Sequence, residues 1–269
     1  MSCPVGHNCG VGMRAGLGLQ DVGLGALAVA VLAGALFAVQ GPGEAPAAQQ
    51  PAAAVATYPA APEQVAALFV GDSFTAGTGA ADQQHAESCL TAAELGWICN
   101  LDAQGGTGFV ADGRADSPTS GPLASRLAQT HQHYLADVIV VDAGRNDAAL
   151  PAAQVRGAVT AYLKALRAAW PEAELVLVAP YFLDSTSPLG TPGTAFLRAQ
   201  AEHFDAKLID PVGEGWVRDD RTSGLTVEDG VHPSPEGHAY LARHLVEDLR
   251  RLGLGDVSIT DLRGARSAA

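Results

Sequence analysis

Four short groups of residues carry the chemistry available to this sequence. They are Gly71-Asp72-Ser73, Gly105-Gly106, Gly144-Arg145-Asn146-Asp147 and Asp229-Gly230-Val231-His232. A free serine hydroxyl is a weak nucleophile at neutral pH and needs a neighbouring base. His232 suits that task. Pro233 keeps it out of the next helix, and Ser234 with Pro235 caps and starts that helix, which fixes the approach of the histidine. Asp229, three residues earlier, can accept a hydrogen bond from the imidazole and so select the tautomer whose other nitrogen faces Ser73. An anionic intermediate also needs donors, for which the backbone N–H groups of Ser73 and Gly106 and the side-chain amide of Asn146 are candidates. Together such groups attack an acyl carbonyl.

These groups lie far apart along the chain, so a scaffold must gather them. Apolar runs at Ala67–Val70, Ile98–Ala103, Val138–Asp142, Leu175–Ala179 and Leu208–Val212 read as strands. Amphipathic stretches, among them Ala152–Ala169, Thr194–Phe204 and Pro235–Leu252, read as helices. Apolar strands alternating with helices predict an α/β fold, a five-stranded parallel sheet covered on both faces in three α/β/α layers. Ligands of such sheets bind beyond the carboxyl ends of the strands, and the first three groups follow the first three strands. The fourth lies in the loop before the last helix.

GDS, a glycine after the second strand, GxND after the third and DxxH before the last helix resemble the SGNH hydrolases, the GDSL-like lipases and esterases. The blocks occur in family order from Gly71 to His232. The resemblance implies a flavodoxin-like sheet and a serine esterase acting through an acyl-enzyme without a cofactor. It implies Ser73 as nucleophile, His232 as base and Asp229 as orienting acid, with Ser73, Gly106 and Asn146 as the oxyanion hole. Arg145 fills the variable position of GxND, and Gly105 competes with Gly106 for the second block. An acyltransferase would use the same acyl-enzyme, and a binding module would keep the fold without turnover.

The remaining features bound the reading. A net charge of −13 over 269 residues disfavours nucleic acid and anionic surfaces. A small ester, including a carbohydrate or lipid ester, fits better. The stretch Val22–Val39 runs eighteen residues without a charge, which predicts a membrane anchor or a signal-peptide core in residues 1–40. Initiation at Met13 would remove Cys3 and Cys9. Residues 41–62 are a Pro/Ala-rich linker, residues 63–255 the catalytic domain and 256–269 a polar tail expected to fray. Either form of the N-terminal segment makes the protein extracytoplasmic, touching a membrane only through that segment. Cys89 and Cys99, on a helix and the following strand, are then expected to form a disulfide.

Several patterns compete with these assignments. Gly106-Thr107-Gly108-Phe109-Val110-Ala111 fits a dinucleotide fingerprint, but the helix breakers that follow deny it the helix it needs. GxSxG is absent around Ser73, which argues against the α/β-hydrolase fold. His131 and His133 read as a solvated helix end, and His238 and His244 receive no role. Phe74, Phe109 and Tyr181 are candidates for either an acyl pocket or the core. Ala111–Pro122 and Phe182–Gly193 are expected to wall the pocket, though their composition sets no shape and selects no substrate.

Overall fold

A computed structural model describes residues 63–218, 222 and 224–266. The anchor-or-signal segment and the linker therefore lie outside the described residues. Five strands, β1 (Ala66–Gly71), β2 (Ile98–Ala103), β3 (Val138–Asp142), β4 (Glu174–Val178) and β5 (Ala206–Ile209), form one parallel sheet in the order β2-β1-β3-β4-β5. This is the predicted fold with the flavodoxin-like strand order. The fifth strand starts two residues ahead of the expected run and stops at Ile209, short of its end, because Asp210 and Pro211 lead into a turn: the Glu214 N–H donates to the Asp210 carbonyl at 2.8 Å.

Alternation along the strands splits the core in two. Ala67, Phe69, Val138, Val140, Val176 and Val178 face one side, beneath α2 (Glu87–Glu94) and α6 (Pro235–Arg251). Leu68, Val70, Ile139, Val141, Leu175 and Leu177 face the other, under α3 (Leu123–His133), α4 (Ala152–Ala169) and α5 (Thr194–His203). Between them lies the short helix α1 (Ser73–Ala76), which leaves β1 at once. Because β1 pairs with β2 on one side and β3 on the other, the ends of β1 and β3 adjoin where the strand order reverses. The serine and the asparagine follow those two ends.

The structure corrects some expectations. The tail is partly ordered: Ile259–Arg266 form α7, Leu262 is buried, and Val257 and Ile259 pack against the first core cluster. Three apolar residues spaced among polar ones give this segment a docking face. Phe74, Phe109 and Tyr181 are buried core side chains. His131 and His133 are exposed at the end of α3, as expected, with the His131 ring edge-on to Trp170, centroids 4.7 Å apart. Thr107 and Asp112 form an isolated bridge, and the next helix opens only at Leu123, so no helix starts at the fingerprint glycines.

Cys89 and Cys99 form the expected disulfide, tying α2 to β2. Closing a loop of this size stabilises by roughly 2–4 kcal/mol, chiefly through the unfolded chain. The paired Cys89→Ala, Cys99→Ala variant should therefore melt roughly 4–16 °C lower than the oxidised protein. Reductant should lower the wild-type melting temperature and leave the variant unchanged in calorimetry.

Candidate active site

The nucleophile turn is shaped by close packing. A Cβ on Gly71 would overlap Thr75 Oγ1 and the Asp142 carbonyl, so only glycine lets β1 turn this tightly beside β3. Asp72 caps the turn, its Oδ1 accepting the Phe74 N–H at 3.0 Å. Ser73 is buried except at its rim, 8% exposed. On the far side, Gly230 at φ +72° turns the chain, and the Val227 N–H donates to the His232 carbonyl at 2.9 Å. Ser234 Oγ then accepts the Gly237 N–H and opens α6.

These turns bring Ser73 and His232 together across 159 residues of sequence: His232 Nε2 lies 2.9 Å from Ser73 Oγ. His232 Nδ1 lies 2.6 Å from Asp229 Oδ2. A proton on Nδ1 satisfies both contacts, with Nδ1–H donating to Asp229 and Nε2 accepting from the serine hydroxyl. The second Asp229 oxygen accepts the N–H groups of Val231 and His232 at 2.8 and 2.9 Å. The imidazole bond and then these backbone donors lower the Asp229 carboxyl to about 2. The arrangement is open to solvent, with side-chain exposures of 26% for His232 and 47% for Asp229. Orientation here comes from hydrogen bonds rather than from burial.

Two of the three oxyanion-hole candidates, Gly106 and Asn146, share one cleft, whose lining does not include Ser73. Asn146 Nδ2 donates to the Thr107 carbonyl at 2.9 Å, which ties the third block to the second and leaves the amide its other hydrogen. Asn146 and Gly106 line one open cleft of about 350 Å³ with Ala111–Asp116 and Leu150. Gly105 faces both Asp116 and the Ser73 side chain, whereas Gly106 packs tightly against Asp116. Asp147 braces the second block, accepting the N–H groups of Phe109, Val110 and Ala111 at 2.7, 3.1 and 2.8 Å. Of the two expected walls, the first contributes to this cleft and the second does not. Another depression, about 450 Å³ between α2 and α6, holds none of these residues.

Three supporting side chains escaped the sequence reading. Arg145 is buried, with Nη2 bridging both Asp142 oxygens at 2.8 and 2.9 Å and Nη1 3.2 Å from Asp72 Oδ2. Burial alone would depress this guanidinium, but Asp142 and Asp72 hold it well above its usual range, fully charged. Burial pushes the Asp142 carboxyl up to about 6; Arg145 opposes the shift, and the charge of Asp72 adds to it. Arg126 contacts Asp102 and donates to the Gly71 carbonyl at 2.9 Å, gripping the end of β1. His238, given no role from sequence, is fully buried: Nδ1 meets Glu87 Oε2 at 2.5 Å, and Nε2 lies 3.0 Å from the Thr78 carbonyl. It thereby joins α6 to the segment just after α1. Apart from Asp142, three residues before Arg145, these partners lie far off in sequence.

Comparison with known proteins places the set in context. The profile of the family described as GDSL-like Lipase/Acylhydrolase matches residues 69–240, well over half the chain. No curated protein sequence matches it. Among solved structures, a family two carbohydrate esterase from Clostridium thermocellum, in complex with cellohexaose, is similar at a TM-score of 0.58. The two share 18% identity over 72% of this chain and 66% of that one. An acetyl xylan esterase, Est2A, from Butyrivibrio proteoclasticus gives 0.53 and 18% over 72% and 66%. The psychrotrophic esterase EstA from Pseudoalteromonas sp. gives 0.54 and 17% over 70% and 97%. The chain spans just under two thirds of the two carbohydrate-esterase chains, and at these identities the likeness is one of fold.

The Asp229 geometry predicts its titration. The folded value of about 2 lies below the ordinary 3.8, so the group stabilises the fold above about pH 3.8. That contribution fades as pH falls through about 2. Carboxyl-carbon NMR should find a midpoint near 2 in wild type. A midpoint at the ordinary value would show that the imidazole bond is not made.

Proposed function

The chain belongs to the GDSL-like lipase/acylhydrolase family, and from that premise we propose an exported serine esterase that cleaves short acyl esters of polar alcohols. The observation that carries the reading is the unbroken line from Asp229 through His232 to Ser73, 2.6 and 2.9 Å long. Ser73 Oγ attacks the ester carbonyl carbon while His232 Nε2 takes its proton. Asp229 stabilises the imidazolium that results. The carbonyl oxygen becomes an oxyanion received by the N–H groups of Ser73 and Gly106 and by Asn146 Nδ2. The tetrahedral centre collapses, the C–O bond to the alcohol breaks, and His232 returns its proton to the leaving oxygen. Water then attacks the acyl-enzyme by the same route, and the acid leaves.

The cleft supports the substrate class. His232 must reach the leaving oxygen, so the alcohol lies on its side of the oxyanion hole and the acyl group on the other, toward the Gly106–Asn146 cleft. Asp112, Arg114 and Asp116 line that cleft beside Ala111, Ala115 and Leu150, and it lies open to solvent. A long acyl chain would gain little there, because a methylene contributes about 0.8 kcal/mol only when it is buried and the cleft is open. The carbohydrate esterases among the fold neighbours are consistent with a sugar as the alcohol. Export is supported by the Cys89–Cys99 disulfide, which persists in oxidising compartments, and by the apolar Val22–Val39 run. None of the described helices is long and apolar enough to cross a membrane.

A p-nitrophenyl ester series tests the reading. Acetate should be turned over faster than octanoate. On acetate, Ser73→Ala should lose on the order of 10⁴ to 10⁶ in kcat and Asn146→Ala about 10² to 10³. Wild-type rates in Ser73→Ala would remove Ser73 from the mechanism. A preference for octanoate would overturn the short-acyl assignment.

A further inference from the structure

Given that esterase reading, on which this inference rests, we propose that Arg145 is a positioning residue for catalysis. It holds the nucleophile turn, the oxyanion-hole asparagine and the catalytic histidine in one register. Its guanidinium is clamped from three elements. Nε donates to the Tyr181 carbonyl at 3.0 Å, after β4. Nη1 reaches Asp72 at the end of β1, and Nη2 takes both oxygens of Asp142 at the end of β3. Its Cζ lies 4.2 Å from the Phe74 centroid and 4.7 Å from that of Tyr181, two rings set nearly at right angles. The Phe74 ring in turn meets the His232 imidazole, centroids 6.0 Å apart.

Ser73, Asn146 and His232 each adjoin a residue of this cluster. Asp72 and Phe74 flank Ser73 in sequence. Asn146 follows Arg145 itself, on a backbone that Gly144 turns at φ +114°. His232 is reached through the Phe74 ring. Because the ion cluster is buried, water cannot replace a broken pair, so a shift of the turn would strand a charge. The cluster therefore resists small rotations that would otherwise lengthen the Ser73–His232 contact. Lysine can substitute only in part: it is a point charge without the planar fork that bridges two carboxylates.

Arg145→Lys, Arg145→Met and Phe74→Leu, each shown by its melting curve to be folded at the assay temperature, separate positioning from mere stability. The Lys variant should lose roughly 10- to 100-fold in kcat with KM within about 3-fold, because a misplacement near 1 Å slows chemistry rather than binding. The Met variant should lose more, so that lysine counts as a partial rescue. Phe74→Leu leaves the charges intact and should also lower kcat, which decides the matter should neither Arg145 variant fold. A lower melting temperature with wild-type kcat in Arg145→Lys, or an unchanged kcat in Phe74→Leu, would overturn the proposal. Should wild type and Ser73→Ala be equally inert toward esters, the hydrolase reading itself would fail, and this inference with it.

Discussion

Two buried guanidinium groups set the conditions under which the carboxyl end of this sheet exists at all. Arg126 and Arg145 take up polar groups at the ends of β1, β2 and β3: the Gly71 carbonyl and the carboxylates of Asp102, Asp72 and Asp142. Removing one partner of a buried pair costs about 3–5 kcal/mol, a large part of the roughly 5–15 kcal/mol that holds an ordinary domain together. An exposed pair such as Arg114–Asp112 contributes about 1 kcal/mol or less. The difference explains why charge is concentrated beneath the reactive turn. There it fixes geometry, and the domain's hydrophobic layers above and below provide the stability that tolerates it.

Two carboxylates around the site are handled in opposite ways. Asp142 lies in the interior, where burial raises its proton affinity and only Arg145 offsets the loss of solvent. Asp229 stands near the surface, where the imidazole and two backbone N–H groups hold it ionised. The surface carboxylate is free to orient a base. The buried one is committed to the scaffold. His232 sits between these regimes, open enough for an alcohol to leave and held on one side by Asp229 and on the other by the Phe74 ring.

Much of this was legible in the sequence because the signals are local. β2, β3 and α4 coincide with their patterns to the residue, since apolar periodicity reports burial directly. The four blocks were legible because each sits at a turn whose glycine, proline or cap residue marks it. What escaped depends on contacts across the fold. Nothing near Arg145 says that Asp72, 73 residues earlier, will share its guanidinium. Nothing near His238 announces Glu87, 151 residues away. Leu262 looked like part of a polar tail because one buried face on a short helix barely alters composition. The Phe74, Phe109 and Tyr181 rings could have lined a pocket or filled the core, and only packing decides between those outcomes.

The central claim is that Ser73 is an activated nucleophile because His232 and Asp229 are aligned behind it. Treatment of the intact protein with a fluorophosphonate, followed by peptide mass spectrometry, tests it most directly, since the reagent phosphonylates an activated serine. The account predicts a single adduct on Ser73, absent when the protein is denatured beforehand. No adduct on folded protein, or an adduct on another serine, would contradict it.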